Sequence, residues 1–71
     1  MPIVLAPLNQ KLKVVKIAAS DDLKKHLESL GITIGGGITG LSSSGGSTVC
    51  LIKDGRVALD SGISTKIFVE L

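Results

Sequence analysis

This 71-residue chain has one cysteine, no tryptophan, no tyrosine, a single phenylalanine and two prolines. Each shortage excludes something. A lone thiol, Cys50, cannot close an internal disulfide or complete a four-cysteine zinc site, so a cystine-stapled secreted scaffold is ruled out. With Phe68 as the only aromatic, there is no stacking platform for single-stranded nucleic acid. An excess of one charge is also missing. Eight basic and six acidic residues leave +2, too even a balance for a phosphate-binding stripe. No apolar run approaches the roughly 18 residues of a spanning helix. The opening stretch from Met1 to Leu8 lacks a basic segment, and Pro2 and Pro7 do not suit a signal helix. The expectation is a soluble, cytoplasmic protein that binds no nucleic acid.

What the sequence does have is aliphatic bulk. At 44% hydrophobic residues it can build the dense core that one small domain, spanning 1–71, requires. Leu12 to Ala19 is rich in β-branched residues and reads as a strand, with Val15 and Ile17 assigned to the core. Ile3 to Leu5, bounded by prolines, reads as a short edge strand. Ser20 is a good helix N-cap, followed by Asp21 and Asp22, where the helix dipole favours negative charge. Leu23, Leu27 and Leu30 then form one helical stripe, and Gly31 supplies a left-handed stop. That places one short α-helix at about 21–30.

Beyond Ile32 the period changes to two. Ile38 to Leu41 reads as a strand, Ser42 to Ser47 as a loop, and Thr48 to Lys53 as a central strand apolar on both faces. Asp54-Gly55 is a type I′ hairpin signal. Arg56 to Asp60 returns, a turn around Ser61 to Thr65 could hold one helical turn, and Lys66 to Glu70 closes the set. Five to six strands and one helix around an aliphatic centre imply a mainly β fold, a small, partly open barrel.

Several residues invite a chemical reading. Gly35-Gly36-Gly37-Ile38-Thr39-Gly40 matches G-x-G-x-x-G, but a helix precedes it rather than follows it, so these glycines read as turns. Gly40 to Ser47 approaches a phosphate loop, yet Gly46 stands where the lysine belongs. The serines lack an activating base, and Cys50 alternates within an apolar strand as a buried hydrophobe. No catalytic residue, cofactor or metal site is expected, since no paired histidine or cysteine spacing occurs. His26 flanks the leucine stripe, at the rim of the core. Lys24, Lys25, His26 and Glu28 remain as a candidate docking face for an acidic or mixed-charge protein.

The order of these pieces resembles the FeoA family, small proteins of bacterial ferrous-iron uptake. The likeness rests on Leu23-Lys24-Lys25-His26-Leu27-Glu28-Ser29-Leu30-Gly31-Ile32-Thr33-Ile34-Gly35, on Val57-Ala58-Leu59, on Lys66-Ile67-Phe68-Val69 and on the opening Leu5-Ala6-Pro7-Leu8. His26 stands where the family usually has arginine, and Ile34 where it has proline. The resemblance implies an SH3-like barrel that acts through protein contacts without catalysis. Its implied partner is FeoB, the ferrous-iron transporter, through either the cytoplasmic GTP-binding domain or the membrane part. Two alternatives are an SH3-like regulatory module of the kind attached to iron-dependent repressors, and a direct transition-metal-binding protein. Edge strands at Ile3 to Leu5 or Lys66 to Leu71 leave a homo-oligomer open.

Overall fold

The computed structural model describes residues 1–53 and 55–71. Five antiparallel strands form one sheet: β1 (Lys11–Ile17), β2 (Gly37–Ser44), β3 (Ser47–Ile52), β4 (Gly55–Leu59) and β5 (Ile67–Glu70). Their spatial order is β4-β3-β2-β1-β5. Helix α1 (Asp21–Ser29) links β1 to β2, and the one-turn helix α2 (Ser61–Ser64) links β4 to β5. Leu12, Val14, Ile38, Cys50, Leu59 and Ile67 point to the same interior and are buried together with Leu27 and Ile32 from the connection above them. The mainly β, partly open barrel expected from the sequence is present.

Two β-bulges curl the sheet. Val14 pairs with Val69 but Lys16 pairs with Phe68, so Val15 is an extra residue in β1. The second bulge falls between Gly40 and Ser42, leaving Leu41 extra in β2. Bulges bend a strand and increase its twist, which is how a short sheet acquires a barrel's curvature. The first one also corrects the core assignment. Val15 is 37% exposed, whereas Leu12, Val14 and Ile17 are all buried. Strict alternation would put Val14 and Ile17 on opposite faces; the extra residue returns Ile17 to the inside. Lys16 then lies outside, its Nζ 5.6 Å from the Phe68 ring centroid.

The amino-terminal segment differs from its expected form. Ile3–Leu5 is a 3₁₀ turn, closed by the Leu5 and Ala6 N–H groups donating to the Pro2 and Ile3 carbonyls. Pro2 fixes φ at −61° just ahead of it, and the buried Ile3 anchors it to the core. Strand-like pairing occurs one step earlier. Pro2 bridges Phe68, the Met1 ammonium donates to the Val69 carbonyl at 3.0 Å, and the Val69 N–H returns a bond to Met1 at 2.8 Å.

Ser42 to Ser47 is likewise no loop. Ser42 pairs with Val49, Ser43 with Thr48 and Ser44 with Ser47, leaving a two-residue turn of Gly45 (φ +58°) and Gly46 (φ +85°). Serine is a poor strand former by itself, but here β3 supplies the partner and the outer side chains face water. Strand β3 is interior as expected, paired on both edges, although β2 is the middle strand. Its outer face is not doubly buried, since Leu51 is 42% exposed. In the expected Asp54-Gly55 turn, Asp54 lies outside the described residues. Gly55, at φ +136°, opens β4 opposite Ile52.

Candidate functional site

Helix α1 is held at both ends by its own sequence. The Ser20 Oγ accepts the Leu23 N–H at 3.2 Å, and Asp21 and Asp22 occupy the first turn. At the other end Gly31 adopts φ +96°, its N–H reaching the Glu28 carbonyl while the Ile32 N–H reaches that of Leu27, both at 2.9 Å. These two bonds form a Schellman cap, and its apolar members Leu27 and Ile32 are both buried in the core. The two caps and the buried Leu27–Ile32 pair thus define which residues of the helix face outward.

The candidate docking residues lie on that outward surface. Lys25, His26 and Glu28 are exposed and Lys24 is half-buried. His26 was expected at the rim of the core; it stands in solvent instead, while Leu27 alone carries the burial of this turn. The Ser29 hydroxyl donates to the His26 carbonyl at 2.6 Å, which ties up a backbone acceptor and leaves the imidazole free of that contact. With Asp21 and Asp22 one turn earlier, the face alternates in sign. Such a face is suited to contact.

The glycine and serine motifs resolve as structure. Gly35 and Gly36 stitch the turn to β1, the Gly35 N–H donating to the Val14 carbonyl at 2.7 Å and the Val14 N–H to the Gly36 carbonyl at 3.0 Å. The Ser64 hydroxyl donates to the Gly46 carbonyl, docking α2 against the β2–β3 hairpin. Cys50 is fully buried, and desolvation pushes its thiol up to about 11. At pH 8 the thiolate fraction is then about 100-fold below that of an ordinary thiol. Iodoacetamide is expected to label the native protein at least ~50-fold more slowly than the chain in urea; equal rates would place Cys50 at the surface. Among the described residues, no group of three or more His, Cys, Asp or Glu side chains could hold a metal ion. None of the described helices is long and apolar enough to cross a membrane.

Sequence reading missed one feature. A groove of about 460 Å³ is lined by Lys11, Gly37, Thr39, Leu51 and Lys53 together with the core residues Ile38 and Ile52. Alternation along β1 and β3 places these lysines outside, but their meeting across strands depends on a register that no single segment reveals.

Comparison with known proteins gives a consistent picture. The family model described as the FeoA domain matches residues 1–71. A search of curated proteins finds no match. Among solved structures, the crystal structure of an iron uptake regulatory protein (FeoA) superposes with a TM-score of 0.87 at 24% identity, covering 99% of this chain and 95% of that one. Iron(II) transport protein A from Clostridium thermocellum gives 0.87 at 19% identity, covering all of this chain and 45% of that one. ScaR with bound Zn²⁺ gives 0.86 at 19% identity, covering 99% of this chain but 36% of that one. At such identities the structural likeness establishes the fold.

Proposed function

The chain belongs to the FeoA domain family, whose membership supports a role in ferrous-iron transport, and from that premise we propose that it acts as a non-enzymatic accessory protein contacting the cytoplasmic part of a FeoB-like transporter. The observation carrying this reading is the family match over the whole chain. The exposed, mixed-charge face of α1, bounded by caps at both ends, supplies the surface. Lys24 and Lys25 would engage carboxylates of the partner, Glu28 would answer a cation, and His26 would sit between them. Charges of both signs on one face favour orientation and on-rate more than raw affinity.

The test is a titration of isotope-labelled protein with the cytoplasmic GTP-binding domain of the FeoB from the same organism, with and without nucleotide. Saturable shifts on residues 24–32 are expected. The double variant Lys24→Glu, Lys25→Glu should bind about tenfold more weakly, a change of ~1.4 kcal/mol. Unchanged binding by that variant would remove this face from the reading.

A second reading rests on a different observation. The chain superposes on about a third of ScaR, so the same barrel also occurs within a longer protein. On that reading the domain is a regulatory module that docks on a metal-binding neighbour. An adjacent transporter gene would favour the first reading, and an adjacent repressor gene the second.

A further inference from the structure

Two lysines, Lys11 and Lys53, line the groove, and strand register places Arg56 one strand beyond it. Lys11 pairs with Thr39, Thr39 with Leu51 and Leu51 with Arg56, so one row across four strands reads Lys-Thr-Leu-Arg. In the neighbouring row Glu70 pairs with Lys13 and Lys13 with Gly37. Lys53, two residues beyond Leu51, lines the same groove. The rest of its lining is neutral: Gly37, Ile38, Thr39, the exposed Leu51 and Ile52. Among the described residues lining the groove none is acidic. Glu70, opposite Lys13, is the carboxylate that register places in these two rows.

Two features resist a purely structural explanation. Lysines on edge strands protect against aggregation, but Lys11 lies on β1, an interior strand, and Lys53 directly follows β3, also interior. Gly37 has no positive φ to require a glycine, and a Cβ there would meet Lys11 Cε at 3.5 Å and the Leu12 carbonyl oxygen at 3.9 Å, ordinary contacts. A glycine in a strand weakens it and often marks a place where another chain comes close. Here it leaves the groove lining bare beside Lys11.

We propose that this groove docks an extended acidic segment of a protein partner, in which two carboxylates flank one apolar side chain. The apolar side chain would cover Gly37 and Leu51, with one carboxylate meeting Lys11 and the other Arg56. Strands stand about 4.8 Å apart, so β1 and β4 are separated by roughly 14 Å. An extended peptide covers about 13 Å in four residues. The matching pattern is acid-x-apolar-x-acid. A single phosphate group is too small to span that row. The site is separate from the α1 face and stands whether or not that face meets a transporter.

The probe is the synthetic peptide acetyl-Glu-Gly-Leu-Gly-Glu-amide, titrated into isotope-labelled protein beside its counterpart with both glutamates changed to lysine. Saturable shifts on Gly37, Thr39 and Leu51 are expected with the acidic peptide and none with the basic one. Lys11→Glu and, separately, Gly37→Val should each lower affinity at least about fivefold (~1 kcal/mol) without lowering the thermal midpoint. Equal binding of both peptides, an unaffected Gly37→Val variant, or no saturable shift at several millimolar would overturn the assignment. So would binding to phosphatidylglycerol vesicles with none to the peptide, which would make the patch a lipid contact.

Discussion

Leu27→Ala is expected to lower the thermal midpoint by about 12–24 °C. The side chain is completely buried, and truncating a buried leucine costs about 2–5 kcal/mol in lost transfer energy and residual cavity. Taking about 3 kcal/mol, and about 4–8 °C for each in a domain of this size, gives that range. The loss is large beside the roughly 3–5 kcal/mol that a core this small supplies. Leu27 also has a second task. With Ile32 it forms the apolar half of the helix cap, so its removal loosens the face carrying Lys25, His26 and Glu28. Leu30→Ala, at a leucine of the same stripe that is 37% exposed, should cost under about 1 kcal/mol. Thermal unfolding followed by circular dichroism separates the two. Equal midpoints would mean that α1 is not the lid of this core.

The second large effect is expected at Gly46, through a contrast with its neighbour. Both turn glycines have positive φ, but their surroundings differ. A Cβ on Gly45 would meet nothing within 4 Å, whereas one on Gly46 would come within 3.0 Å of the Ser61 Cβ. Left-handed backbone costs a non-glycine residue roughly 1–2 kcal/mol. Overpacking against α2 adds about 1–3 kcal/mol, and any relief by backbone movement disturbs the Ser64 bond to the Gly46 carbonyl. Gly46→Ala should therefore destabilise by roughly 2–5 kcal/mol, while Gly45→Asn, which suits this turn, should stay within about 0.5 kcal/mol. Urea unfolding midpoints read the difference directly. Similar losses at both positions would show that only backbone strain matters and that α2 does not press on the hairpin.

How much of this was legible beforehand depends on whether the signal was local. The caps of α1 and the Gly31 stop lie within twelve residues and the structure reproduces them, while of the leucine stripe it buries Leu27 fully, Leu23 in part and leaves Leu30 exposed. The one-turn helix after β4 was also visible, its N-cap Asp60 accepting the Ile63 N–H at 3.0 Å. What escaped depends on partners far along the chain. The bulge at Val15 exists only against β5, and the serine run becomes a strand only because β3 lies beside it. Gly45-Gly46 did offer a hairpin signal, masked by the serines around it. The exposed residues of α1 offered as a candidate docking face could be placed together from sequence because a helix face is local. The groove could not, because its members come from three strands.

The two bulges have a consequence for how such a chain tolerates gain and loss of single residues. Without Val15, β1 would read Leu12-Lys13-Val14-Lys16-Ile17, a strict inside-outside alternation that keeps the same side chains in the interior. Leu41 is spare in the same sense, since Gly40 faces in and Ser42 faces out on either side of it. A one-codon deletion elsewhere in a strand turns its far half inside out. At these two positions it would change only the bend. The curvature of the barrel is thus a separately heritable trait, open to variation while the core composition stays constant.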